Sequence, residues 1–154
     1  MKPVSVKRKD PRALERLLKN VVRVKGRAVE VGFPNEDEMH RNAGMTVKEL
    51  ALTHEFGTID GRIPARPFIQ PTMHKNRFDY RRMMFKSAKD LTLGRKDVDV
   101  ALKEIGERAV DDMRLTILEG NFTPLAESTI AKKGHSQPLI ESDQMYDAID
   151  YKVK

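Results

Sequence analysis

Val98, Leu102, Ile105, Ala109, Met113 and Ile117 recur at steps of three and four residues. That spacing stacks all six on one face of a continuous α-helix, whereas a strand would scatter them over both of its faces. Asp97 stands in front as an N-cap and Gly120 behind as a stop, so the periodicity predicts a helix from Asp97 to about Glu119. A second long helix is predicted from Gln70 or Pro71 to about Leu93. Its inner stripe reads Met73, Tyr80, Met84, Ala88 and Leu91, and Gly94 follows as a C′ glycine.

Shorter signals surround this pair. Asp10-Pro11 opens a helix whose stripe is Leu14, Leu17, Leu18, Val21 and Val22, ended by Lys25-Gly26. Val29, Val31 and Phe33 alternate with Glu30 and Gly32 as in a half-buried strand, stopped by Pro34. Residues 35–44 read as a loop. Thr46 and Glu49 form a T-x-x-E capping box for a short helix carrying Val47, Leu50, Ala51 and His54, ended by Gly57. Ile63 and Arg66 each precede a proline and are therefore expected to be extended. Beyond Pro124-Leu125 a short helix runs to Lys133, and Leu139–Asp147 reads as a turn or short helix. Ile149, Tyr151 and Val153 alternate as a closing strand. The fold class expected is α+β: a single domain over residues 1–154, with a small, mostly antiparallel sheet packed with three or four helices. Residues 1–9 are expected to be a flexible N-terminal arm.

Composition limits what this architecture can do. The chain has 154 residues, of which 34% are charged and 39% hydrophobic, with no tryptophan. Such a chain either stays partly disordered alone or finishes its packing against neighbours. With no cysteine, disulfides, thiolate metal sites and cysteine nucleophiles are excluded. The N-terminal MKPVSVKRKD has charge but no apolar stretch after it, so no secretory signal is expected, and no apolar run is long enough to span a bilayer. The net charge of +6 permits contact with nucleic acid or with an acidic protein, but 23 acids are scattered among the 29 bases.

Catalytic patterns fail one by one. His54-Glu55 would begin a zinc-protease motif, but the second histidine belongs four residues after the first, where Thr58 stands. His40 lies near Glu36, Asp37 and Glu38, which reads as a solvated acidic loop rather than a metal site. Asp97 and Asp99 fall at a helix start, where carboxylates cap and meet the dipole. Ser128-Thr129 has no base nearby in sequence, and the glycines are too dispersed for a phosphate loop. The expectation is no catalytic residue, no cofactor and no metal. One basic face stands out on the helix after Pro71, where Lys75, Arg82, Lys86 and Lys89 gather and Arg77 and Arg81 flank the apolar stripe. Phe78 and Phe85 lie near its edge, as core or interface residues, too few to be a base-stacking platform.

One segment is more specific than packing requires. It reads Ala51-Leu52-Thr53-His54-Glu55-Phe56-Gly57-Thr58 and then Ile63-Pro64-Ala65-Arg66-Pro67-Phe68-Ile69. It resembles the "hEFGt … iPaRPF" signature of the tail-completion or neck (virion-morphogenesis) proteins of lambda-like and Mu-like tailed bacteriophages. Val29–Phe33 is similar to the "V-x-V-G-F" strand of those proteins. Asn121–Leu125 with Thr129–Gly134 resembles their "PL-x-x-x-Ti-x-x-K" segment, and Pro138–Ile140 with Met145–Val153 resembles their C-terminal segment. These pieces cover most of residues 27–154. Where the family often has threonine-glycine, this chain has Ser142-Asp143, and aspartate tolerates a positive φ less well than glycine.

The resemblance implies a non-enzymatic virion protein made in the host cytoplasm. It would be a ring-forming subunit of the head–tail junction, touching portal or adaptor and tail proteins, with DNA passing through unread and no membrane contact. A tail-terminator ring, or a small basic nucleic-acid-binding protein, are the alternatives. The interface or structural motif expected to matter is Glu55, Phe56, Gly57, Pro64, Arg66, Pro67 and Phe68. Within it, Pro64 and Pro67 would stiffen an extended segment, Arg66 would pair with Glu55, and Phe68 would be turned outward as an anchor for a neighbour; the alternative is an internal loop packed on the core.

Overall fold

The computed structural model describes residues 11–35, 37–134, 136, 138–139 and 143–154, with only the backbone described at Pro11, Ala13, Leu14, Arg16, Leu17 and Lys133. The arm expected over residues 1–9 and the Asp10 cap lie outside these. The elements run α1 (Pro11–Val24), β1 (Val29–Gly32), α2 (Val47–Phe56), α3 (Ile69–Thr92), α4 (Val98–Glu119), α5 (Glu127–Lys133), α6 (Gln144–Asp147) and β2 (Asp150–Val153). The chain is α+β, with four longer helices, two short ones and a two-stranded antiparallel sheet among the described residues.

The helix α4 is the spine. Asp97 caps it, its carboxylate accepting the Asp99 N–H at 3.0 Å, as the sequence requires. One side of α4 meets α3: Tyr80 Oη donates to Asp112 Oδ2 at 3.0 Å, and the hydroxyls of Thr72 and Thr116 lie 2.6 Å apart. Another side meets the sheet. There a Cβ on Gly106 would stand 2.5 Å from the Tyr151 ring, so this mid-helix glycine is the recess that seats the tyrosine. In the sheet Val31 pairs with Tyr151 and Val29 with Val153, and the Ala28 and Lys154 backbones exchange two further hydrogen bonds. A hairpin-sized sheet of this kind is stable only when packed on something larger, which here is α4.

The main core joins Val47 and Ala51 of α2, Phe68, the α4 residues Val110, Met113 and Ile117, and Leu139, Met145 and Ile149 near the C-terminus. A smaller cluster of Leu91, Val98 and Ala101 closes the α3–α4 turn. Two stripes differ from expectation. On α3 the buried positions are Thr72, Tyr80, Ser87 and Leu91, while Met84 and Ala88 face solvent. Thr72 meets Thr116 of α4 directly, and periodicity alone does not tell a buried face with small polar residues from the neighbouring methionine. On α1 the stripe residues Leu18, Val21 and Val22 are exposed rather than packed. Among the described side chains, polar ties join this helix and the turn after it to the long pair: Asn20 Nδ2 donates to Leu91 O at 2.7 Å, Arg23 pairs with Asp97 at 2.9 Å, and Arg27, beyond the helix end, pairs with Asp99. Among the described residues no helix is long and apolar enough to cross a membrane.

Candidate interaction site

The segment from Glu55 to Phe68 folds back on itself and ties four parts of the chain together. The last turn of α2 places Glu55, whose side chain is buried, beside the start of α3. Its Oε2 accepts the Phe68 and Ile69 N–H groups at 2.7 and 2.8 Å, and Oε1 accepts the Gln70 N–H at 2.9 Å. Pro71 follows, with no N–H to satisfy. The first turn of α3 therefore has no orphan donor, and a carboxylate sits at the positive end of its dipole. No cap from Phe68's own side chain exists, so Glu55 supplies the cap from thirteen residues upstream.

Gly57 makes this return possible. Its φ of 74° favours glycine, and a Cβ there would lie 2.9 Å from both Ala65 N and Ile63 O. The chain then runs out to a tight tip. The Thr58 N–H donates to Ile63 O at 3.0 Å, the Ile63 N–H to Thr58 Oγ1 at 2.9 Å, and the Arg62 N–H to Asp60 Oδ1 at 3.1 Å. Hydrogen bonds from the Thr58 side chain and the Arg62 backbone hold the Asp60 carboxyl below the usual carboxylate range. On the way back the Arg66 N–H donates to His54 O at 2.7 Å, and Pro64 and Pro67 lie exposed along the extended return.

Two expected roles are corrected. Arg66 does not pair with Glu55. It is buried, and its Nε and Nη2 donate to Thr123 O at 2.7 Å and Pro124 O at 3.1 Å. Burial holds its pKa below the ordinary guanidinium value. Glu55 was claimed first by three backbone donors, so the arginine fork serves two carbonyls of the segment that crosses above it. Phe68 does not face outward either. It is 0% exposed, and Phe33 meets it edge-on at 6.3 Å between ring centres. Capping by Glu55 turns residue 68 into the core, which a stiff proline segment read in isolation could not reveal.

The outward side of the motif is instead Phe56, 64% exposed, with Leu52 one turn before it and the fully exposed Ile59 on the tip. Leu52 and Ile59 were missed in the sequence. The available signal was spacing: Val47, Ala51 and Glu55 form the buried side of α2 at four-residue steps, and Leu52 and Phe56 form a separate apolar pair off that side. Beside the returning segment lies a cavity of about 480 Å³, walled in part by His54, Pro64, Arg66, Pro124 and Leu139.

The dispersed pieces that carried the resemblance converge here. Phe33 meets Phe68, Arg66 binds the carbonyls of residues 123 and 124, Leu139 joins the same core, and β2 pairs with β1. Comparison with protein-family models, with curated proteins and with solved structures gave no match. Asp143 adopts a left-handed φ of 56° at the start of α6, the conformation a glycine would take there. His40 is buried rather than solvated: its backbone N–H donates to Met45 O at 2.9 Å, and its Nδ1 accepts the Asn42 N–H at 3.3 Å. Glu36 lies outside the described residues, and among those described no three His, Cys, Asp or Glu side chains are grouped to hold a metal.

Proposed function

We propose that this chain is a non-enzymatic structural protein of a tailed bacteriophage virion, a ring-forming subunit of the head–tail junction through which DNA passes unread. The observation that carries the proposal is that large apolar side chains stand exposed on separate sides: Leu18, Val21 and Val22 on α1, Phe56 and Ile59 at the tip, and Phe78 and Phe85 on α3. A single ligand pocket needs one such patch, whereas a subunit with several neighbours needs one per neighbour. The motif resemblance supports the same reading. In this proposal the Phe56–Ile59 tip, braced by its own hydrogen bonds, docks on an adjoining protein with little ordering cost.

Electron microscopy of the purified chain tests it, together with infectivity complementation. Rings are expected for the wild type. The double variant Phe56→Ser, Ile59→Ser should melt like the wild type, because both side chains are exposed, yet fail to complement. A wild-type monomer that binds DNA with a steep salt dependence would instead favour a small basic nucleic-acid-binding protein. Stacks of rings on isolated tail tubes would favour the tail-terminator layer.

A further inference from the structure

The two long helices carry outward faces of opposite character. Phe78 and Phe85, 59% and 70% exposed, sit seven residues apart on the side of α3 turned away from α4, with Arg81 and Arg82 between them. At 1.5 Å per residue the two rings are about 10 Å apart along the helix. No acidic residue lies on that side of the helix between them; Asp79 falls on its flank, 3.6 Å from Arg82. On α4, Asp112 and Thr116 look toward α3 and Gly106 toward the sheet, which leaves a third side free. That side carries Glu107 and Asp111 one turn apart, followed by Leu115 and Leu118, 45% and 48% exposed. The α3 face thus sets its aromatic side chains among basic groups, and the α4 face sets its leucines beside Glu107 and Asp111, where the neighbouring cations are already engaged within the chain, Arg108 by Asp112 at 2.9 Å and Lys103 by Glu107.

We infer that the α3 face of one copy of this chain docks on the α4 face of another. Arg81 and Arg82 meet Glu107 and Asp111, and Phe78 and Phe85 pack on Leu115 and Leu118. Basic and aromatic groups on one surface, acidic and aliphatic groups on the other, give the electrostatic and apolar complementarity that a specific contact requires. The faces point in different directions, so one copy cannot close both contacts with a single partner. Association is therefore heterologous, and it either closes into a ring or propagates. The intrachain pairs already present, Arg82 with Asp79 and Lys103 with Glu107 at 3.6 Å, are exposed and exchange readily for partners across an interface. Nucleic acid fits the α3 face less well. The guanidinium carbons of Arg77 and Arg81 stand 4.7 and 6.0 Å from the Phe78 ring centre, on the surface a stacking base would need.

This inference names the lateral contact of the ring proposed above. The test is sedimentation of the full chain at low and high salt, with charge reversals on each face. The wild type should associate with rising concentration, and less so at high salt. Arg81→Glu with Arg82→Glu, or Glu107→Arg with Asp111→Arg, should each weaken association by about tenfold or more. An equimolar mixture of the two variants should associate again with the copies alternating, because every contact between unlike variants is complementary, and a chain carrying all four changes should also associate, because its faces are exchanged but still complementary. A wild type that stays monomeric at low salt, association unaffected by either reversal, or failure of the mixture to pair would overturn the inference. So would oligonucleotide binding that the α3 reversal abolishes while self-association persists. Rings that survive both reversals would overturn this interface and leave the ring proposal standing; salt-sensitive chains that never close would do the converse.

Discussion

The Glu55 carboxylate and the Phe68 backbone are joined at 2.7 Å across thirteen residues, and this one bond fixes both ends of the motif loop. It sets where α3 begins and directs the Phe68 ring into the core. Glu55→Gln keeps the shape but leaves one oxygen to serve three N–H donors, placing an amide donor among them. The expected loss is about 1–3 kcal/mol of stability, read from urea unfolding, with amide exchange quickened at residues 68–70. Exchange and stability equal to the wild type would mean that the cap is dispensable.

Arg66 tethers the segment at Thr123 and Pro124 through a planar fork. Lysine has one ammonium and cannot reach both carbonyls in that geometry. Arg66→Lys should cost about 1.5–3 kcal/mol, as expected for lost hydrogen bonds to a charged group. Proteolysis should then open the chain first near residues 121–126. Cleavage unchanged there would show that the tether does not hold that segment.

Phe68→Ala should destabilise the monomer by about 3–5 kcal/mol, since the ring is wholly enclosed. Any loss of assembly should follow from unfolding. Chemical denaturation beside a complementation assay separates the two effects. A full-strength fold with assembly lost would return Phe68 to an interface.

Tyr80 lies buried against Asp112, whose carboxylate also accepts both contacts from Arg108 Nε, at 2.9 and 3.0 Å. Burial, then the hydrogen bond to Asp112 and its charge, push the Tyr80 phenol well above its ordinary value. The folded chain therefore holds a proton that the unfolded chain releases near pH ~10. That contribution to stability is complete below about pH 10 and declines as pH rises toward the folded pKa. Urea midpoints measured upward from pH ~9 should fall in the wild type, and Tyr80→Phe should fall less steeply. Parallel curves for the two chains would remove Tyr80 as the cause.

The sequence by itself determined the local structure: the stripe of α4, the Asp97 cap, the Thr46–Glu49 capping box, the closing strand and the glycine stops. Each is written in residues only a few positions apart, where backbone geometry leaves few choices. Partnerships across the chain were decided by the tertiary structure alone. Arg66 and Glu55 looked like a pair because opposite charges eleven residues apart can meet. Three backbone donors at the start of α3 took the carboxylate, and two carbonyls near residue 123 took the guanidinium. Ser87 is buried on α3 while Met84 is exposed, the reverse of what hydrophobic periodicity asks, because burial follows the surfaces that meet rather than the polarity of one residue. Phe68 went inward and Phe56 stayed outside for the same reason: burial depends on which surfaces meet, and that is a property of the assembled chain rather than of any stretch of it.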